Sequence, residues 1–170
     1  MPNYRLDYEY MNIVKHILEN EEFMKLDSIK HHNDTRLSHS LKVSYKSYVI
    51  AKKLKLDYEE VARAGLLHDF YLGQVNEQSS LKNKILLFTT QHPNQAVKNS
   101  LKYFYLSDKE IDIIRTHMFP VDIKVPKYAE SWLVSLVDKV ISTKEFSAKF
   151  SNKISWAANV SIIMLLNIFK

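Results

Sequence analysis

Apolar residues recur at helical spacing over the first third of the chain, between short polar stretches. From Tyr8 to Phe23 they predict a first helix, through Met11, Val14, Ile17 and Leu18. From about Leu37 to Leu54 a second helix is predicted. Its apolar stripe is Leu41, Tyr45, Tyr48 and Val49, and its lysine face is Lys42, Lys46, Lys52 and Lys53. His39 stands on the first turn of this second helix.

A third helix carries the clearest signals in the chain. Asp57 is predicted as its N-cap with Glu60 three residues later, a variant of the capping box. The residues that follow are spaced i, i+3, i+4, i+7 and i+8: Tyr58, Val61, Ala62, Gly65 and Leu66. The helix ends in His68 and Asp69, and Gly65 allows another helix backbone to approach just before them. An imidazole and a carboxylate at the end of an apolar run are costly to bury unless they are paired or bound to a metal.

Two further helices are predicted after an aperiodic stretch at Tyr71–Asn83, which we expect to be a mobile loop bordering the site. Pro93 at a first helical position places His92 at or beside an N-cap. We expect this helix to pack through Ala96, Val97, Leu101 and Phe104. The next helix opens with a capping box formed by Ser107 and Glu110, and its inward face is Ile111, Ile114 and His117.

The last third of the chain predicts two more helices after an extended link between Pro120 and Pro126. The first runs from about Ala129, with apolar Trp132, Leu133, Leu136, Val137 and Val140, and Asp138 is an unusual carboxylate within this run. The second covers about residues 154–169. It is apolar but shorter than the roughly 20 residues of a membrane-spanning helix. We therefore expect it to be a docked final helix or a homodimer face rather than a membrane anchor.

Composition narrows the classes of protein. With two glycines and four prolines in 170 residues there is little turn chemistry for a many-stranded fold, so we expect one all-α domain over residues 1–170, with its core at about 36–145. The same scarcity of glycine excludes a phosphate-binding glycine loop. The absence of cysteine excludes disulfides and thiolate chemistry and fits the cytoplasmic location that we expect. The net charge of +5 comes from dispersed residues, which favours a solvated surface over a nucleic-acid patch.

Six polar residues lie on or at the end of predicted helices, on inward or otherwise anomalous positions: His39, His68, Asp69, His92, His117 and Asp138. Each successive gap fits one helix plus a connection, so the residues can return to the same end of a bundle. Nitrogen and oxygen donors without thiolate suit Mn, Fe, Co, Ni, Zn or, in part, Mg. The set is large enough for a dinuclear site with open positions for water and substrate.

The order His, His-Asp, His, His, Asp closely resembles the HD-domain metal-dependent phosphohydrolases. The resemblance rests on Arg36–Val43, Ala64–Asp69 and Leu136–Lys139, and it covers roughly Arg36 to Glu145. It implies a compact helical bundle with a metal site between helices and two divalent metal ions. By this resemblance, one ion is held by His39, His68, Asp69 and Asp138. Asp69 bridges to a second ion at His92 and His117.

The function expected on this basis is cleavage of a phosphomonoester or phosphodiester, of a nucleotide or another phosphorylated metabolite, by a hydroxide that bridges the two ions. Asp69 would bridge the two ions and orient the hydroxide. Arg36, one helical turn before His39, is a candidate phosphate contact because its guanidinium fork matches phosphate oxygens, and Lys139 is a weaker candidate. A role as plain helix-surface charges stays open for both.

The chain departs from well-known family patterns at two places. Phe70, Tyr71 and Leu72 follow the dyad where the family often has Ile-Gly-Lys, and some nucleotidase members carry an acid where Leu72 stands. Met118 follows His117 where the cyclic-dinucleotide branches have an acid. These departures keep open a metal-bound ligand sensor or interaction module without turnover. A basic nucleic-acid-binding protein with an incidental histidine cluster is a third alternative.

Overall fold

A computed structural model describes residues 4–31, 34–73 and 91–147 of the chain. Over these residues the fold is all-α, which confirms the predicted class. The helices are α1 (Tyr8–Leu18), α2 (Glu21–Met24), α3 (Arg36–Leu54), α4 (Tyr58–Leu67), α5 (His92–Tyr103), α6 (Asp108–Thr116) and α7 (residues 129–147). Short 3₁₀ helices cover Tyr4–Leu6 and Lys25–Ser28, and two-residue strands β1 (Lys30–His31) and β2 (Asp34–Thr35) pair antiparallel before α3.

The packing of α3 against α4 is the central contact of the bundle, and α1 and α6 also pack on α4. A Cβ placed on Gly65 would lie 3.1 Å from the Cα of Ser44, which confirms the predicted close approach at this glycine. The hydroxyl of Ser44 donates to the carbonyl of Ala62 at 2.6 Å and accepts from the hydroxyl of Tyr10 at 2.8 Å. Hydrogen bonding thus satisfies a polar residue at the closest point between the two helices.

The inward face of α3 differs from the predicted stripe. Its fully buried residues include Ser40, Ser44 and Ser47, whereas Leu41, Tyr45 and Val49 are only partly buried. Of the predicted stripe, Tyr48 alone is fully buried. Ser44 lies against the backbone of Gly65 on α4, where the two helices approach too closely for a larger side chain.

The predicted first helix is wrong beyond Leu18. There α1 ends, and Asn20 opens a separate turn because its side-chain oxygen accepts from the amide of Phe23 at 2.9 Å. Asp57 occupies the N-cap position of α4, as predicted, but the capping box expected there is not formed. Its side chain makes no cap bond to α4 and pairs with the ammonium of Lys109 instead. The capping box at Ser107 and Glu110 is confirmed, with both reciprocal bonds present.

The buried face of α7 also differs from the prediction. Trp132, Leu136 and Val140 are exposed. The buried positions of this helix include Ser131, Val134, Ser135, Val137, Asp138 and Ile141. Asp138 therefore lies on a mixed inward face, which accounts for a carboxylate within an apolar run. On α5, Ala96 and Val97 are buried as predicted, while Leu101 is half exposed.

No helix among residues 4–31, 34–73 and 91–147 is both long and apolar enough to cross a bilayer. The final helix predicted at residues 154–169, with its dimer face, lies outside the described residues. So does the greater part of the loop predicted at Tyr71–Asn83.

Replacing Gly65 by leucine should lower the free energy of unfolding by roughly 2–3 kcal/mol, a typical cost of overpacking. The reason is that the obstructing atom is the backbone of Ser44, which cannot rotate away. Urea unfolding measures the effect. The matched control is Glu59→Leu, at an exposed position of the same helix, which should change stability by less than about 0.5 kcal/mol. Equal urea midpoints for the two variants would contradict the close approach of α3 and α4.

The carboxylate of Asp34 should make stability depend on acid pH. Burial opposes its charge, but hydrogen bonds from Lys42, Ser38 and the amide of Thr35 lower the pKa of Asp34 to about 2. Because the folded-state pKa is depressed, the stabilisation is present above the unfolded pKa of about 3.9 and is lost as pH falls towards 2. The melting temperature of Asp34→Asn should therefore lie below that of the wild type at pH 7, and the gap should narrow by pH 2.5. Glu59→Gln, at an exposed position of α4, should show no such change.

Candidate metal centre

Helix ends bring the six sequence-predicted residues together. His39 is on the first turn of α3, His68 and Asp69 follow α4, His92 opens α5, His117 follows α6, and Asp138 is on α7. All six are buried, with at most 8% of any of them exposed. The structure thus collects residues that are up to 99 positions apart in sequence.

A first group consists of His39, His68 and Asp69, each of which offers one ligand atom within 4.8 Å of the others. Asp138 lies beside this group. Its Oδ1 is 3.1 Å from Nε2 of His39 and 3.8 Å from Nε2 of His68. Two imidazoles and two carboxylates therefore converge from α3, α4 and α7.

A second group consists of Asp69, His92 and His117. The Nε2 atoms of the two histidines are 2.9 Å apart, and they lie 3.5 Å and 3.7 Å from Oδ1 of Asp69. The other oxygen of Asp69, Oδ2, is 3.8 Å from Nε2 of His68 in the first group. The two oxygens of one carboxylate thus face two different groups.

Main-chain carbonyls orient two of the rings. Nδ1 of His68 donates to the carbonyl of Gly65, and Nδ1 of His117 donates to the carbonyl of Ile114, each at 2.8 Å. With the ring proton on Nδ1, the lone pair of a neutral imidazole is on Nε2 and points into the cluster. Nε2 of His68 is buried and has no hydrogen-bond partner among the described residues. A buried lone pair that faces carboxylate oxygens fits a divalent cation as its partner.

The charges of the cluster are also suited to a cation. Burial opposes ionisation of Asp69, but His68, His92, His117 and His39 hold its pKa well below its ordinary value. Burial likewise opposes the charge of Asp138, and the hydrogen bond from His39 keeps its pKa low. Burial, together with His68 and His92, lowers the pKa of His117 to about 3. At neutral pH the two carboxylates are therefore anionic and His117 is neutral. Burial opposes the charge of His39, but hydrogen bonds with Asp138 and Glu145 raise its pKa to about 10.

Sequence reasoning missed Glu145 and Lys42. Oε2 of Glu145 is 3.1 Å from Nδ1 of His39, and its Oε1 accepts from the ammonium of Lys42 at 2.9 Å. A signal was present in the spacing. Asp138 and Glu145 are seven residues apart on one helix, so they share a face, and Lys42 is one turn after His39.

The two candidate phosphate contacts lie next to the cluster. The guanidinium of Arg36 donates to the carbonyl of Tyr71 and lies 5.1 Å from the centre of the Tyr71 ring, which is 6.5 Å from the ring of His92. The ammonium of Lys139 donates to the carbonyl of His117 and is 3.6 Å from Oδ2 of Asp138. Their contact with a phosphate stays a prediction.

A cavity of about 770 Å³ lies apart from this cluster, between α1 and α3. Its lining includes Met11, Leu18, Tyr45 and Val49, and none of the six predicted site residues belongs to it. Its walls are largely apolar, and the two groups of potential metal ligands lie outside it.

A family model described as "HD domain" matches residues 36–143, which is more than half of the chain and includes all six clustered residues. No curated protein and no solved structure matched the chain in these comparisons. The HD family is a family of metal-dependent phosphohydrolases. On this match, the chain belongs to the HD-domain family.

Proposed function

We propose that this protein is a two-metal phosphohydrolase that cleaves a phosphomonoester or phosphodiester. One observation carries the proposal: the two oxygens of Asp69 face two separate groups of potential ligands. A carboxylate in that position can hold two cations side by side, as two-metal hydrolytic sites require. Membership of the HD family supports the reaction class.

In this proposal His39, His68, Asp69 and Asp138 hold one divalent ion, and Asp69, His92 and His117 hold the other. Mn, Fe, Co, Ni, Zn or Mg is compatible with these nitrogen and oxygen donors. Divalent ions so held supply Lewis acidity, which lowers the pKa of water and neutralises charge on phosphoryl oxygens. The hydrogen bonds from His68 and His117 to main-chain carbonyls fix which ring nitrogen faces the ions.

Arg36 and Lys139 are the side chains that we propose for the phosphate. Only one hydrogen bond of the Arg36 guanidinium is seen in the described structure, to Tyr71, and a guanidinium carries five N–H donors. Lys139 is held by the carbonyl of His117 and by Asp138, so its ammonium lies beside the first ligand group. Burial lowers the pKa of Lys139, and Asp138 opposes that shift.

The substrate class that we propose is a nucleotide or another small phosphorylated metabolite. The HD family acts on small phosphorylated substrates, and the net charge of +5 favours anionic ligands. The aromatic ring of Tyr71, between Arg36 and His92, is placed where it could contact the organic part of such a substrate.

A second candidate function is a metal-bound ligand sensor that lacks turnover. One observation favours it: Phe70, directly after the dyad, is fully buried and packs against Phe23 with ring centres 5.3 Å apart. Neither Tyr71 nor Leu72 adds a charged group after it. Turnover separates this candidate from the hydrolase, because both would bind metal.

Divalent ions should stabilise the protein. At a free Mn²⁺ concentration of about 100 times the dissociation constant, the gain is about 2.7 kcal/mol per site, which a rise in melting temperature reports. His68→Gln should reduce this gain, because it removes the lone pair directed at both aspartates. The matched control is His16→Gln, on the exposed side of α1, which should respond as the wild type does. An unchanged response in His68→Gln would contradict the ligand assignment.

Turnover should require a divalent ion and Asp69. A panel of nucleotides, p-nitrophenyl phosphate and bis-p-nitrophenyl phosphate, assayed with each metal and with a chelator, measures it. Asp69→Asn should lower kcat by at least about 10²-fold, the scale for loss of one preorganised charge at a reacting centre.

The control for that variant is Asp112→Asn, a buried aspartate that accepts from Ser131 at 2.7 Å and lies outside the cluster. This variant should keep turnover within about threefold of the wild type, whereas a loss of about 10²-fold is expected for Asp69→Asn. Metal uptake without hydrolysis of any substrate in the panel would favour the ligand sensor.

A further inference from the structure

Both ring nitrogens of His39 face carboxylates of the same helix. Nε2 is 3.1 Å from Oδ1 of Asp138, and Nδ1 is 3.1 Å from Oε2 of Glu145. The two acids are seven residues apart on α7, which places them two turns apart on one face. The imidazole is thus held in its plane from both sides, with Nε2 directed towards the first ligand group.

The contact at Nδ1 distinguishes His39 from two other histidines of the cluster. His68 and His117 each donate Nδ1–H to a neutral carbonyl three residues earlier in the chain. His39 has a carboxylate in the corresponding place. An anionic acceptor makes an imidazole a stronger ligand than a neutral acceptor does, because it stabilises the positive charge that metal binding induces on the ring.

Glu145 is itself held in position. Its Oε1 accepts from the ammonium of Lys42 at 2.9 Å, and that ammonium also donates to Asp34 at 2.8 Å. Asp34 accepts from Ser38 at 2.5 Å, on the first turn of α3. Only 12% of the Glu145 side chain and 21% of the Lys42 side chain are exposed, so solvent competes weakly for these bonds. A chain of charged contacts thus runs from the start of α3 to His39.

We infer that Glu145, fixed by Lys42, is a positioning residue that orients His39 and strengthens metal binding by the group that contains it. This inference rests on the proposed function, because it assigns Glu145 to one of the two proposed ion positions. It predicts an asymmetric effect. Loss of the Glu145 charge weakens the ion at His39, His68, Asp69 and Asp138, and leaves the ion at His92 and His117 in place.

The test is titration of the full chain with Mn²⁺ alone. Binding is measured by calorimetry and by the electron paramagnetic resonance signal of free Mn²⁺. Glu145→Gln should weaken one of two binding events by roughly 10- to 100-fold, the usual effect of removing a residue that orients a metal ligand. The other event should keep its affinity. Lys42→Met should shift the same event in the same direction by a smaller factor, because Glu145 stays on α7 but loses its fixed cation.

The matched control is Glu130→Gln. Glu130 is a buried glutamate on the same helix, its carboxylate is 3.4 Å from the ammonium of Lys109, and it accepts from the amide of Asp57 at 3.2 Å. This variant removes a comparable buried charge without touching the cluster, so both Mn²⁺ affinities should equal those of the wild type. Melting temperatures of the metal-free proteins report the purely structural effect of each substitution.

Three results would overturn the inference in distinguishable ways. If Glu145→Gln binds both ions as the wild type does, Glu145 forms only a structural ion pair, and the proposed function stands. If the wild type itself takes up no Mn²⁺, the proposed two-metal function fails, and the role of Glu145 fails with it. Equal weakening of both events in Glu145→Gln and Glu130→Gln would also contradict a specific role at His39.

Discussion

Asp69 is an ionised carboxylate with only 11% of its side chain exposed, and the arrangement of the helices around it compensates that charge. Removing a carboxylate from water costs several kcal/mol unless opposite charge and hydrogen bonds replace the lost hydration. Four imidazoles from α3, α4, α5 and the end of α6 surround Asp69 and its neighbour Asp138. Each of those helices must therefore start or stop at the cluster, and their local end structures become part of the site.

The contacts that place α7 illustrate this dependence. Ser131 donates to Asp112 on α6, and Ser135 donates to the carbonyls of His117 and Phe119 in the turn that follows. Lys139 donates to the same His117 carbonyl. These polar contacts join α7 to α6 and to the segment that carries His117. Apolar burial alone, through Val134 and Ile141, would leave the helix freer to slide along its axis.

Sequence patterns could predict features that depend on local chemistry. The capping box at Ser107, the start of α5 beside Pro93 and the six clustered residues followed from residue type and spacing. Three other features could not be predicted in this way: the serine face of α3, the exposure of Trp132 and Leu136 on α7, and the pairing of Asp57 with Lys109. Hydropathy counts apolar side chains, so it assigns serine to the surface even at Ser44, where close helix approach and hydrogen bonds favour burial. Glu145 escaped although its seven-residue spacing from Asp138 places both on one face of α7, because its contact with His39 is visible only in the fold.

Gly65 links the packing of the bundle to the orientation of a ligand. Its lack of a side chain lets the backbone of α4 approach Ser44 of α3, and its carbonyl accepts the Nδ1 proton of His68 three residues later. The same residue thus sets the distance between α3 and α4 and the ring orientation at the end of α4. Because α4 carries Asp69 as well, a shift of this helix would change both ligand groups at once, whereas a shift of α5 or α7 would change one. The close helix contact at Gly65 is therefore as much a condition of the metal centre as the ligands themselves.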